Sequence, residues 1–178
     1  TFPVPDILMA LHAVVGRMGP AGLTLPDVAA EVGLSPATLV QRFGSKRGLL
    51  LAFAKAGADS ADMCFSGVRA AHASPLDALV AAATLMTQSM GSPEELANGL
   101  AFLQMDISDR EFRKYALASF EKTHAGYRAL LVEAIEAGEL EPCDTAKLAH
   151  AVAAVSGGAL IAWAVWQKGP AARWVKRD

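Results

Sequence analysis

Only two cysteines, Cys64 and Cys143, occur in 178 residues, with no CxxC pair and no Cys/His cluster. Their isolation argues against a disulfide framework and a metal site, and it fits a reducing, cytoplasmic setting. No glycine-rich phosphate loop is present, and His12, His72, His124 and His150 stand without a Ser, Cys or carboxylate at suggestive spacing. The sequence therefore offers no nucleotide cradle and no catalytic triad. No segment shows the sustained apolar/polar alternation or the β-branched run of a half-buried strand. No signal peptide is visible, and a first residue of Thr1 rather than Met leaves room for a short missing leader or tail. With a net charge of -2, the chain as a whole has no positive field to advertise to a polyanion.

What is abundant is apolar. Hydrophobic residues make up 53% and charged residues 19%, which suits one or two compact domains and disfavours disorder. The charge is also uneven. Residues 35–47 carry Arg42, Lys46 and Arg47 with no acid, a local +3, so the rest of the chain carries -5. Local charge matters more than the total for docking on phosphate. The 19 residues from Leu148 to Trp166 are long enough to span a bilayer, with His150 and Ser156 as polar breaks. They are rich in weakly inserting Ala and Gly and are flanked by Lys147 and Lys168, so burial in protein is expected and a membrane is not.

Helix punctuation is dense. Ser35-Pro36, Ser74-Pro75 and Ser92-Pro93 each place an N-cap before a proline at the first helical position. Ser92 with Glu95 and Ser108 with Glu111 have capping-box spacing. Stops are expected at Gly19-Pro20, Gly33, Gly44, Gly91, Gly138 with Pro142, and Gly169-Pro170. Between them, Ile7, Leu11, Val14, Val15 and Met18 make one apolar face; Leu117, Phe120, His124, Tyr127 and Leu131 make another. The spacing predicts helices near 4–18, 25–32, 36–42, 46–71, 75–90, 93–106, 109–137 and 144–167, with another starting at 170. This is an all-α plan of about nine helices without internal repeats.

The second and third helices have a specific relationship. Thr24 can cap the second, Gly33-Leu34-Ser35 makes a tight turn, and Pro36 to Phe43 forms the third. Ala29 is small where the two must cross, and Gly33 supplies the positive φ of a short turn. Val28, Leu34, Leu39 and Phe43 are the expected buried side. Pro36, Ala37, Thr38, Gln41 and Arg42, short or hydrogen-bonding, are the expected exposed side, a profile that fits a major groove. The stretch from Thr24 to Leu49 resembles the DNA-binding segment of the TetR family, whose pattern runs T-x-x-x-I-A-x-x-x-G-V-S-x-x-T-L-Y-x-Y-F-x-S-K-x-x-L. Residues 7–19 are similar to its first helix. Where the family usually has tyrosine and a second aromatic, this chain has Val40 and Arg42.

The resemblance implies a helix-turn-helix DNA-binding domain over 1–47 and a larger helical effector-binding and dimerisation domain over 48–178. Thr24, Ser35, Pro36, Ala37, Thr38, Val40, Gln41, Arg42 and Lys46 are the expected contacts to double-stranded DNA. Arg42 is expected on a guanine or a phosphate and Lys46 on a phosphate. Capping is the competing role for Thr24 and Ser35. In the later helices, Met86, Met90, Phe102, Met105, Phe120 and Trp163 can line an apolar effector pocket, with His124 and Tyr127 as polar handles. Core packing competes for each of them. Ala154, Gly158 and Ala162 recur every four residues and mark the expected homodimer face, against packing on the 109–137 helix. A repressor released by a small, largely apolar effector is thus implied, with no cofactor, metal or enzyme activity. The rivals are an all-helical enzyme or carrier of a hydrophobic molecule, and a protein-contact module.

Overall fold

The computed structural model describes residues 3–88 and 91–177, with the backbone alone at Met86, Gln88 and Arg177. Nine helices and no strand occur among the described residues: α1 Val4–Gly22, α2 Leu25–Glu31, α3 Pro36–Phe43, α4 Lys46–Ala71, α5 Pro75–Gln88, α6 Pro93–Ser108, α7 Arg110–Glu136, α8 Thr145–Trp166 and α9 Ala171–Arg177. The expected end of the fifth helix at position 90 lies outside the described residues.

Most boundaries follow the punctuation. Helix α1 runs past its expected end, but Gly19 leaves helical geometry (φ 69°, ψ 166°) and Pro20 begins a further turn. Asn98 of α6 secures this bend by donating to the Gly16 carbonyl at 2.7 Å. The cap of α7 differs from expectation. Ser108 donates back to Gln104 O, and the Asp109 carboxylate instead accepts from Glu111 N at 2.9 Å. A carboxylate is the stronger acceptor at a helix start, where the dipole also favours negative charge.

The chain packs as two units. Unit one comprises residues 1–59 and 94–117. Ile7, Leu11, Val14, Leu23, Val28, Leu39, Leu49 and Phe112 are completely buried there, with Phe102 and Met105 packed against them. Phe53, Phe102 and Phe112 meet edge to face, with ring centres 5.5 and 6.0 Å apart. Each such buried side chain contributes about 1.5–3 kcal/mol.

Unit two comprises residues 60–93 and 118–178. Its core gathers Ala78 and Leu79 of α5, Tyr127, Leu130 and Leu131 of α7, and Ala149 of α8. Tyr127 meets Phe65 edge-on at 5.2 Å. Helix α8 is only partly covered. Ala149, Ala159, Leu160 and Trp163 are buried, whereas Val155, Ile161, Val165 and Trp166 are exposed, the last two at 76% and 62%.

Gly126 sits where α7 meets the Phe65 ring; a Cβ there would lie 2.5 Å from Phe65 Cγ. Gly→Ala in an ordinary helix interior stabilises by about 1 kcal/mol. At Gly126 the sign reverses, because the obstructed atom is the root of a packed ring and not a flexible tip. Gly126→Ala is expected to destabilise by about 1–3 kcal/mol in urea unfolding; a gain in stability would contradict this packing.

Candidate nucleic-acid interface

The helix-turn-helix is built in unit one from short-range hydrogen bonds. Thr24 caps α2 reciprocally: its Oγ1 accepts from Asp27 N, and Asp27 Oδ2 accepts from Thr24 N at 2.7 Å. The Thr24 hydroxyl and amide bonds hold the Asp27 carboxyl below its usual range, with Lys46 adding a smaller attraction. At the end of α2, Gly33 takes φ 64°, and Leu34 N donates to Ala29 O at 2.8 Å. That is the positive φ expected of this turn. Ser35 then caps α3, accepting from Thr38 N at 3.2 Å. Arg17 of α1 pairs with Glu31 of α2 at 2.6 Å.

Helix α3 presents two faces. Leu39 is fully buried and Phe43 packs against the same core. Pro36, Ala37, Val40 and Gln41 are exposed, with Thr38 and Arg42 half-buried. The Thr38 and Ser35 hydroxyls are 2.9 Å apart. The exposed strip is short-branched, with one amide donor and acceptor in Gln41, so it can approach a base edge closely.

Lys46 and Arg47 of the basic cluster are engaged within the protein. Lys46 Nζ donates to the Ala21 carbonyl at 2.9 Å, closing the exposed end of α1. Arg47 reaches Asp109 and Glu111 of the α6–α7 junction. Sequence separation of more than sixty residues hid the two acids, so only the basic side of these pairs was legible.

The sequence-assigned effector residues are distributed. Phe102 and Met105 belong to the core of unit one. In unit two, Tyr127 is buried and burial raises its phenol pKa. Phe120 is exposed and stands 6.4 Å from the His124 ring, and His124 lies 4.2 Å from His150 of α8. Trp163 is buried, its Nε1 donating to Gly169 O at 2.8 Å. Met90 lies outside the described residues, and Met86 is placed by its backbone in α5. Unit two also holds an open cavity of about 360 Å³ that the sequence did not reveal, lined by α5, α8 and α9 through residues such as Leu79, Ala83, Val152, Val155 and Val175, with Lys176 at its edge. Its mainly Ala, Val and Leu lining, with Thr84, Ser156 and Lys176 among it, reads in sequence as ordinary close packing. Of the expected dimer residues, Ala154 and Gly158 are exposed and Ala162 half-buried.

A fully capped two-helix turn, docked on a third helix and presenting the outer face of a short helix, defines a helix-turn-helix domain in an all-helical chain. Residues 7–53 match the bacterial regulatory proteins of the tetR family. No curated protein matches the chain. Solved structures share the fold across nearly the whole length. PfmR of Thermus thermophilus, a TetR-family regulator, is 21% identical with a TM-score of 0.65, over 96% of this chain and 93% of its own. FadR of Bacillus subtilis, in complex with stearoyl-CoA, is 15% identical with a TM-score of 0.71, over 98% and 95%. A candidate regulator from Saccharomonospora viridis, in complex with choline, is 19% identical with a TM-score of 0.79, over 98% and 91%. Residues 7–53 thus carry a domain that matches the tetR-type regulatory proteins, and the chain as a whole shares the fold of these regulators.

One group in unit one is electrostatically strained. Asp106 of α6 follows Phe102 by one turn, and its Oδ1 is buried without a hydrogen-bond partner. Burial pushes its pKa up to about 6. The folded state therefore holds the proton more tightly than the unfolded chain, whose carboxyl titrates near ~3.9. Stability associated with this group is complete below pH ~4 and lost as pH rises through about 6. Asp106→Asn is expected to stabilise the fold at pH 8 by roughly 1 kcal/mol, once solvent contact is discounted, and to do little at pH 4. Thermal unfolding at the two pH values measures this, and an equal effect at both would refute the assignment.

Proposed function

We propose that this chain is a homodimeric repressor that inserts α3 into successive major grooves of a near-palindromic operator and is released by a small, largely apolar effector. The observation that carries the reading is the polarity of α3: Leu39 is fully buried while Pro36, Ala37, Val40 and Gln41 face outward. Residues 1–47 are the DNA-reading part in this proposal, and residues 48–178 bind effector and dimerise. Thr24, Ser35, Pro36, Ala37, Thr38, Val40, Gln41, Arg42 and Lys46 are its proposed DNA contacts. Val40 suits a thymine methyl, and the Arg42 fork suits guanine O6 and N7.

The dimer proposal rests on α8. Of the strip assigned from sequence, Ala154 and Gly158 are exposed and Ala162 half-buried, and Ile161 and Val165 extend it as exposed apolar residues. An apolar strip with small residues along its length admits close approach of a second helix, and a two-fold partner uses the same strip on itself. Two copies then place their α3 helices about one DNA turn apart, on the order of 34–36 Å, or a multiple of it.

Selection from a random duplex pool followed by titration tests this reading. Two chains per enriched, near-palindromic duplex are expected; a monomer on DNA, or no enrichment, would overturn it. Arg42→Ala should cost roughly 1–3 kcal/mol and relax one position of each half-site. Lys46→Ala should weaken all duplexes alike and flatten the salt dependence by about one unit per half-site. If Arg42→Ala weakens every duplex by one common factor, Arg42 is a phosphate contact.

The effector proposal centres on unit two, with the α5–α8–α9 cavity and the residues assigned there from sequence, Met86, Met90, Phe120, His124, Tyr127 and Trp163; Phe102 and Met105 stay separate candidates within unit one. Stearoyl-CoA and choline in the Bacillus and Saccharomonospora structures support ligand responsiveness as a property compatible with this fold. A ligand bound only by the folded protein raises its thermal midpoint and, on this reading, lowers DNA affinity. A screen of apolar compounds in which every stabilising ligand leaves DNA affinity unchanged would remove the regulatory part of the proposal.

A further inference from the structure

Arg47 belongs by sequence to the basic cluster beside the recognition helix, yet its guanidinium is committed elsewhere. Nη1 donates to Asp109 Oδ2 at 2.6 Å, Nη2 to Asp109 Oδ1 at 3.1 Å, and Nη2 also to Glu111 Oε2 at 2.5 Å. The planar group lies over the Phe112 ring with Cζ 5.2 Å from its centre, and Phe112 is fully buried. This is a bidentate fork, a second carboxylate and a stacking surface acting on one side chain. Such geometry suits Arg and does not suit Lys.

Both ends of the contact are firmly seated within unit one. On one side, Arg47 is the second residue of α4, separated from α3 only by Gly44, Ser45 and Lys46. Ser45 Oγ accepts from Gly48 N at 3.1 Å, and α4 passes so close to α3 that a Cβ on Gly48 would collide with the Phe43 carbonyl oxygen. That junction has little freedom to bend, so a force on Arg47 is a force on the end of α3. On the other side, Asp109 caps α7 through Glu111 N, and its own amide donates to Met105 O at 2.9 Å.

We infer that Arg47 is a positioning residue for DNA reading: clamped by Asp109 and Glu111, it fixes the angle of α3 against the α6–α7 junction and makes no phosphate contact. The inference rests on the DNA-binding reading above. The hydrogen bonds from Arg47 hold the Asp109 carboxyl down at about 2, so the clamp is ionised throughout the neutral range.

The alternative is a phosphate-binding arginine that the two acids merely mask, and the two roles predict opposite signs. Removing an acid from a masked phosphate ligand frees the cation and tightens DNA binding. Removing an acid from a clamp loosens α3 and weakens specific binding. Asp109→Asn makes this comparison cleanly, since asparagine remains a good N-cap for α7. Arg47→Met keeps an apolar stem over Phe112, and Arg47→Lys keeps the charge without the fork.

The experiment measures each full-length variant on the enriched duplex and on an unrelated duplex at several salt concentrations, on the enriched site with its half-sites moved one base pair apart, and by hydrogen exchange without DNA. The clamp predicts that Asp109→Asn and Arg47→Met both lose about tenfold or more on the enriched duplex. The salt slope and the affinity for unrelated DNA stay near wild type, and discrimination against the altered spacing falls. Arg47→Lys restores little of the loss. Amide exchange over residues 36–43 rises in both variants, while exchange over residues 118–177 does not. Tighter binding by Asp109→Asn, or a salt slope flattened by about one unit per half-site in Arg47→Met, overturns the inference in favour of a phosphate contact. Wild-type exchange over residues 36–43 in both variants overturns it without reference to DNA. A wild-type chain that enriches no duplex counts against DNA binding itself, and the exchange measurement still decides the clamp.

Discussion

An eight-residue helix has almost no stability of its own in water, because nucleation fixes several residues before hydrogen bonds accumulate. Helix α3 therefore exists, and points where it does, because Leu39 is completely buried and Phe43 packs beside it. The core that receives Leu39 also holds Ile7, Leu11 and Val14 of α1, Val28 of α2 and Leu49 of α4. Four helices thus share one set of contacts with the exposed face of α3 on their outside. Phe112 of α7 belongs to the same set, so the first turn of a helix more than sixty residues downstream is part of what holds α3. Close-packed cores transmit displacements because they have few voids in which to absorb them.

The reading unit was legible in sequence because its signals are local. A cap at Thr24, a positive φ at Gly33, a Ser-Pro start at positions 35 and 36 and apolar residues at helical spacing each act within four or five positions. They agree with one another, which is the condition for a legible fold. The helical plan was legible for the same reason. The exceptions are informative. At α7 the Ser108–Glu111 spacing suggested a capping box, but Glu111 has a distant partner in Arg47 and the stronger acceptor Asp109 stands one residue later. A local rule gave way to a long-range ion pair. Likewise Lys46 and Arg47 appeared as free positive charge only because Ala21, Asp109 and Glu111 are not their neighbours in the chain.

Apolar side chains in the rest of the chain carried less information. Phe102, Met105, Tyr127 and Trp163 have the composition of a ligand pocket and of a core alike, and the first two pack against the core of unit one while Tyr127 and Trp163 are buried in unit two. Periodicity tells which face of a helix is apolar and says nothing about whether the space in front of it is filled. The α5–α8–α9 cavity makes the complementary point, since its mainly Val, Ala and Leu lining has no distinctive sequence pattern. Helix α8 was expected to be buried from its composition. One chain covers only part of it, and Val165 and Trp166 remain exposed. Isolated apolar side chains on a surface are ordinary; a continuous strip along one helix is not, and the strip is the basis of the dimer proposal.

The electrostatics of the reading unit follow from this arrangement. A local charge of +3 over residues 35–47 would by itself favour any nucleic acid, whatever its sequence. Binding Arg47 to two carboxylates converts part of that charge into geometry, whereas Lys46, resting on a carbonyl at the end of α1, keeps its charge. With -5 over the rest of the chain, the protein is poorly equipped for indiscriminate attraction to phosphate. On the proposed DNA-binding reading, discrimination depends on how α3 meets base edges, and a small error in its angle moves every contact on its outer face together. A regulator that competes against a vast excess of non-specific sites benefits from that balance, because the ratio of specific to non-specific affinity matters more than either alone. On that reading, an arginine held by two carboxylates weakens general attachment and sharpens selective attachment through the same ion pairs.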